Sequence, residues 1–448
     1  MTIIRQQWKT WTSKSTSYRI FGAASIVGSA TAAVYFVHTA KELTVAAHFG
    51  TTDAMDAYLL AYLLPSFCIN VIAGSVPSAL MPVFMHVREK EGCKTSLSLL
   101  AGANVWGGLL LISVAAVLVC FGPLVLPFLG SAYAPDKLAL TQSIFYCLLP
   151  LIVLQGMASI WASSLNAFER FALAAIAPCA PSLMTLAFLF WGPDSWAIYS
   201  LVWGALSGTV LQLVLLVGKA IRLKIVVRPS NHPALVEVAH QYWPVVAGAT
   251  LATGTTVIDQ AMAATLPPGN LAALGYGDRV VAAILGLGST ALGTAVLPHF
   301  SRLAAAEKWA DLAHTLKVYK RLIWVSSALL TLVFLIFSEP IVRLLWERGA
   351  FTRVDTRLVS QIQAFYALRI PFYLVSIVMV RLLSSLRANR FLFFIAGINL
   401  VLNVIFNIIF MKWWGVTGLA LSTFVVYAIS YLMVTHALKA CWPEHKRA

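Results

Sequence analysis

The sequence predicts an all-α polytopic membrane protein of about twelve transmembrane helices, arranged as two parallel six-helix repeats around a central cavity. Composition is the first reason: 60% of the residues are hydrophobic and only 11% charged, with a mean hydropathy of +0.82, far from the roughly 25% charge of soluble domains. The second is spacing. The apolar residues fall in separate runs of about 20, the length that carries a helix across a hydrocarbon core of roughly 30 Å. The third is a recurrence at one offset along the chain.

In order, the apolar runs lie at about 20–40, 54–84, 97–121, 138–162, 171–191 and 196–218, then at about 240–266, 271–298, 322–338, 357–382, 391–411 and 415–437. Arg5, Lys9, Lys14 and Arg19 precede the first run. It is long, lacks a small-residue cleavage site and leads directly into further spans, so it reads as an uncleaved helix rather than a signal peptide. With the N-terminus cytoplasmic, alternate loops and both tails hold about 22 of the 32 basic residues, as the positive-inside rule requires. Both termini are therefore expected in the cytoplasm. The net charge of +15 belongs to loops beside an anionic leaflet, which argues against nucleic-acid binding.

Chemistry-bearing motifs are sparse. The cysteines Cys68, Cys93, Cys120, Cys147, Cys179 and Cys441 form no CxxC pair, so neither a disulfide framework nor a metal site is expected. HExxH, P-loop and GxSxG patterns are missing. No enzyme activity and no cofactor are predicted.

The recurrence organises what remains. SSLNAFERF from Ser163 is answered by SSLRANRF from Ser384, PLIVL from Pro150 by PFYLV from Pro371, and MPVF from Met81 by LPHF from Leu297, at offsets of about 216 to 221. Six spans per half make the two halves parallel, related by an axis along the membrane normal, and such folds place substrate between the halves. The expected division is an N-terminal half 1–218, a basic cytoplasmic linker 219–239 and a C-terminal half 240–448.

A charge at mid-membrane costs on the order of 3 kcal/mol and seldom faces lipid, so ionisable residues inside the spans mark the candidate site. The first two spans supply His38, Lys41, Glu42, Asp53 and Asp56; the seventh and eighth supply Asp259, Asp278 and Arg279; the tenth adds Arg369 and Arg381. Lys41, Glu42, Asp53 and Asp56 equally suit the headgroup region at helix ends, and adjacent Asp278 and Arg279 equally suit a structural ion pair. Asn399, Asn403 and Asn407, four residues apart, share one helix face, where helix-to-helix hydrogen bonding is the plainer reading.

The run AKELTVAAHFGTTDAMDAYLLAYLLPSFCINVIAGSVPSALMPVF from Ala40 resembles the opening motif of the MurJ/MviN family. YGDRVVAAILGLGSTALGTAVLPHFSR around Arg279 and LLWERGAFTRVDTRLVSQIQAFYALRIPF from Leu344 are similar to further family segments. The resemblance implies the polysaccharide-exporter (MOP) superfamily and an inner-membrane flippase that moves an undecaprenyl-pyrophosphate-linked saccharide by alternating access, with lipid II as the first substrate to consider. By position it sets Lys41, Glu42, Asp56, Arg279 and Arg381 on charged residues of the family; Lys41 and Arg279 are the pyrophosphate contacts to expect, and His38, Glu42, Asp56, Asp278, Arg369 and Arg381 the polar and charged cavity residues. It also departs from the family. Family arginines fall at Tyr35 and at Ile69 or Asn70, a family glutamate falls at Ala282, and the apolar runs number about twelve where many members have fourteen. A Wzx-like flippase for an exopolysaccharide or O-antigen unit, or a small-molecule antiporter, fits the same repeat.

The physical task agrees with the resemblance, since a pyrophosphate headgroup needs a hydrated cationic path while its prenyl tail stays in lipid. Arginine offers phosphate a planar fork and lysine a point charge. Asp259, Glu42 and Asp56 are the candidate coupling sites for Na+ or H+, with membrane potential alone as the other energy source. A glycan polymerase or glycosyltransferases are the protein partners to expect, and the chain is expected to act as a monomer. The stretch with Arg343, Arg348, Arg353 and Arg357 among Leu344, Leu345, Trp346 and Phe351 reads as an interfacial amphipathic segment.

Overall fold

In the computed structural model, which describes residues 16–225, 232–386 and 388–442, the chain is a succession of α-helices with no strand among the described residues. The N-terminal arginine and lysines through Lys14, Arg228 of the basic linker, Arg387 and the C-terminal tail lie outside the described residues.

Helices α1 (Thr16–Phe49), α2 (Asp53–Cys68) and α3 (Gly74–Glu91) come first, the last two joined through a π-helical turn, Ile69–Ala73. They are followed by α4 (Cys93–Leu129), α5 (Pro135–Leu148), α6 (Pro150–Ala167), α7 (Phe171–Ile176), α8 (Cys179–Trp191) and α9 (Tyr199–Arg222). The second half repeats the pattern with α10 (Ala234–Ala263), α11 (Asn270–Ala305), α12 (Trp309–Trp346), α13 (Arg353–Ala367), α14 (Ile370–Ser385) and α15 (Asn389–Cys441). Among the described residues, nine helical stretches are long and apolar enough to cross a membrane. That is fewer than the twelve apolar runs. Asn389–Cys441 counts once although Gly415, at φ 57°, breaks it into two segments, and neither Thr16–Phe49 nor Ala234–Ala263 is among the nine.

The repeated phrases have local causes. Pro150 and Pro371 each stand in the first turn of a helix, where a missing N–H costs nothing and the fixed φ favours a restart. Phe84 and Phe300, which close the matched MPVF and LPHF phrases, are both fully buried. Phe84 packs edge-on against Phe168 of SSLNAFERF at 5.8 Å. Arg88 then holds that turn, donating to the Ala167 carbonyl at 2.8 Å with its guanidinium over the Phe168 ring.

Two compact units emerge. The first contains the described residues of Met1–Val45, Leu64–Val125 and Leu140–Ala249; the second contains Ala46–Leu63, Leu126–Ala139 and the described residues of Thr250–Ala448. These bounds differ from the 1–218 and 240–448 division, because short segments of the first half cluster with the second.

In the first unit, Val76, Leu80, Phe84, Leu100, Trp161, Leu165 and Leu216 form a continuous core. Gly204 and Gly208 on α9 bring it against α8: a Cβ at Gly208 would stand 2.3 Å from Pro181 Cα, and one at Gly204 2.5 Å from Thr185 Cα. This is the small-xxx-small contact that lets membrane helices approach closely. The freed carbonyl of Ile72 in the π-helical turn accepts from the Tyr242 hydroxyl at 3.1 Å. In the second unit, polar side chains bind helices together: Ser338 donates to the Ser360 carbonyl at 2.7 Å and Thr331 to that of Ala367 at 3.2 Å.

Candidate functional site

The second unit holds two clusters of charged and polar side chains. In the first, the fully buried Asp56 accepts from the Gly269 N–H at 2.6 Å and the Ala272 N–H at 2.9 Å. These donors open helix α11, whose first-turn N–H groups have no intrahelical acceptor and carry the positive end of the helix dipole. Lys137 at the start of α5 reaches the same carboxylate at 3.1 Å and Asp53 at 2.5 Å, with its ammonium 4.0 Å from the centre of the Tyr133 ring.

Around this cap the backbone is interlocked. The Ala350 N–H donates to the Ala47 carbonyl at 2.7 Å, and Thr51 hydrogen-bonds Asp355. Gly50, Gly269 and Gly349 all have positive φ, and a Cβ at Gly349 would lie 2.1 Å from the Ala47 oxygen. The FG turn and the ERGAFT segment therefore touch through backbone. Thr352 and Asp355 form a reciprocal capping box at the start of α13, which sets that helix firmly behind the contact.

The second cluster is built on Asp259. One carboxylate oxygen accepts from Asn403 at 2.9 Å and Asn407 at 2.7 Å, and the other accepts from Thr423 at 3.1 Å. The asparagine stripe divides accordingly: Asn403 and Asn407 serve this carboxylate, while Asn399 donates to Ser430 at 3.0 Å. The Asn407 side-chain oxygen is buried without a hydrogen-bond donor. Carboxylate, amide and hydroxyl oxygens are the ligands a hard cation prefers. No group of three or more His, Cys, Asp and Glu suited to a metal exists among the described residues.

Arg369, also buried, pairs with Asp278 on α11 and lies over the Tyr366 ring at 4.5 Å. Asp278 makes its ion pair across helices and not with adjacent Arg279: it turns to Arg369, 91 residues away. Arg279 is half-buried, its guanidinium 5.5 Å from the centre of the Tyr276 ring.

In the first unit, Lys41 binds Glu42 at 2.6 Å, and His38 stands 3.9 Å from the same carboxylate. Glu42 is buried while Lys41 keeps 22% of its side chain exposed. Arg381 is exposed on α14. At the positions where the family carries extra arginine, Tyr35 is exposed and Ile69 sits in the π-helical turn. Lys137, Thr423 and Tyr366 escaped the sequence reading. Lys137 lies in a connecting segment between spans, and Thr423 and Tyr366 look like ordinary membrane-helix residues.

Membrane-length helices define a multi-pass membrane protein, and its fold is shared with solved transporters of the MOP superfamily. A solved inward-facing multidrug resistance MATE family transporter of that superfamily superposes with a TM-score of 0.73 at 12% identity, covering 93% of this chain and 96% of its own. A lipid II flippase MurJ solved in an inward closed conformation superposes with a TM-score of 0.80 at 22% identity, covering 92% and 87%. The sequence goes further: residues 45–447 match the model of the family described as lipid II flippase MurJ, and the chain belongs to that family. Probable lipid II flippases of Bdellovibrio bacteriovorus and Rhizobium meliloti are 26% and 27% identical to it. The alignments cover 95% and 94% of this chain and 83% and 80% of theirs.

Proposed function

We propose that this chain translocates lipid II across the bacterial inner membrane by alternating access, with both termini cytoplasmic. Membership of the lipid II flippase family over nearly the whole chain is the observation that carries the reading. Lys41 and Arg279 are the pyrophosphate contacts. Lys41 is held beside Glu42 with part of its side chain exposed, and Arg279 is steadied by the Tyr276 ring, so each is positioned without needing to be ordered by the ligand. Glu42 and His38 complete the polar surface on α1.

Asp56, through its hydrogen bonds to Gly269 and Ala272, fastens a segment of the first half within the second unit. The Asp259 cluster is the coupling site, and its unpaired Asn407 oxygen favours a sodium ion over a proton. An exopolysaccharide repeat unit is the second reading, favoured by the neutral residues at Tyr35, Ile69 and Ala282. It needs the same pyrophosphate contacts and different sugar contacts. The test is replacement of a cell's own lipid II flippase by this chain, scoring growth and the sidedness of lipid II, with Arg279→Ala as the control that must fail.

A further inference from the structure

The stretch that carries Arg343, Arg348, Arg353 and Arg357 is not a helix of its own. It is the last turn of α12, a tight connection and the first turn of α13, and all four arginines are exposed. With both termini cytoplasmic the connection faces the periplasm, the side on which the positive-inside rule disfavours basic residues. Within it the lipid II reading leaves these arginines without a task. The connection is also rigid and close to Arg279. Gly349, at φ 59°, has no room for a Cβ against the Ala47 oxygen, and the Ala350 N–H donates to that same carbonyl at 2.7 Å. Trp346 and Phe351, one on each side of the turn, are buried against the Tyr276 ring, with centres 5.2 and 5.5 Å away. The same ring supports the Arg279 guanidinium.

Three acids share the stretch, and two of them are occupied. Glu347 accepts from the Thr356 hydroxyl at 2.8 Å and pairs with Arg343 at 3.6 Å; Asp355 accepts from the Thr352 N–H at 2.7 Å and from Thr51. Glu339 lies a turn before Arg343 on α12. Arg348, Arg353 and Arg357 have no carboxylate within ion-pair distance among the described residues. Thr356 stands on the turn of α13 that carries Arg353 and Arg357, so its bond to Glu347 joins both sides of the connection. Leu344 and Val354, 75% and 77% exposed, stand among the arginines. Guanidinium groups interleaved with exposed aliphatic side chains suit the boundary between headgroups and acyl chains.

We propose that Arg348, Arg353 and Arg357 form a receiving site for the pyrophosphate of the polyprenyl carrier in the periplasmic leaflet, with Leu344 and Val354 against its tail; this rests on the lipid II reading and extends it. Guanidinium groups bind phosphate oxygens as a planar fork. A pyrophosphate offers two adjacent phosphoryl groups to several such forks, whereas the phosphodiester of an ordinary phospholipid offers one, so the carrier is the preferred occupant. Position supports the assignment. Arg279 lies about 14 Å along α11 from its start at Asn270, at 1.5 Å per residue. The residue before that start, Gly269, packs on Thr51, which hydrogen-bonds Asp355 in the first turn of α13. A headgroup leaving Arg279 toward the start of α11 therefore arrives beside the arginines.

The test uses the full chain in phosphatidylcholine nanodiscs with radiolabelled undecaprenyl pyrophosphate. A photo-crosslinking side chain at position 354 should capture the lipid, and unlabelled undecaprenyl pyrophosphate should compete at least about 10-fold better than phosphatidylglycerol, the effect of one charge-assisted hydrogen bond. Arg353→Gln combined with Arg357→Gln should cut the crosslink at least about 10-fold with the melting temperature unchanged, and the corresponding pair of lysine substitutions, which keeps charge but loses the fork, should fall between. Arg279→Ala, which strips the cavity contact, should retain the crosslink. An undiminished crosslink in the glutamine pair, equal competition by phosphatidylglycerol, or loss of the crosslink in Arg279→Ala each overturns the receiving site and leaves the lipid II reading standing. A chain that binds the lipid without any crosslink at position 354 does the same. A wild-type chain that binds no undecaprenyl pyrophosphate sinks both readings together.

Discussion

Replacing Asp56 by alanine should unfasten the interlock between the Ala46–Leu63 segment and the start of α11. The carboxylate satisfies two buried N–H groups and an ammonium. Leaving a buried donor unpaired costs about 1–3 kcal/mol, and removing one partner of a buried charge pair costs about 3–5 kcal/mol. Lys137 retains Asp53 and the two N–H groups hydrate once the contact opens, so a net loss of about 3 kcal/mol is a fair figure, a shift of roughly 150-fold in the equilibrium. The assay is disulfide formation between cysteines at positions 47 and 350, whose backbones are hydrogen-bonded, in a chain stripped of its native cysteines. Asp56→Ala should cut the cross-linking rate several-fold. Asp56→Asn, which keeps one carbonyl oxygen, should fall between, and Asp53→Asn, at an exposed carboxylate, should change little. Cross-linking of Asp56→Ala at the wild-type rate would refute the assignment of the cap as the fastening element.

Gly208→Leu should destabilise the first unit by about 2 kcal/mol or more, since overpacking a full core costs roughly 1–3 kcal/mol and here the obstruction is backbone, Pro181 Cα at 2.3 Å; detergent thermal denaturation reads it directly. Arg279→Lys should weaken undecaprenyl pyrophosphate binding while leaving the melting temperature unchanged, because an ammonium cannot reproduce the two-pronged contact of a guanidinium. Asp259→Asn should abolish sodium binding yet leave the protein folded, as its partners are neutral amides and a hydroxyl; equilibrium binding of radioactive sodium checks it.

The membrane architecture was legible because its causes are local. A run of apolar residues is a span whatever its neighbours are, and the proline restarts at Pro150 and Pro371 write their geometry into the sequence twice. Side-chain partners were not legible for the opposite reason. Asp56 finds its donors 213 and 216 residues away, and Asp278 passes over its neighbour for Arg369, so the position of a charge within a span marks the residue without its partner. The asparagine stripe showed a polar face but not the carboxylate opposite it. The Gly204 and Gly208 spacing was visible as GALSG and went unread, since glycine is frequent in membrane helices. The division into compact units also differs from the repeat boundary, because Ala46–Leu63 and Leu126–Ala139 pack with the second half, which no internal repeat announces.

The most direct measurement is lipid II sidedness in cells whose own flippase has been replaced by this chain. Growth with lipid II reaching the outer leaflet, lost on Arg279→Ala while the variant remains folded in the membrane, is the predicted result. Lipid II retained on the cytoplasmic leaflet despite correctly folded wild-type chain would contradict lipid II as the substrate.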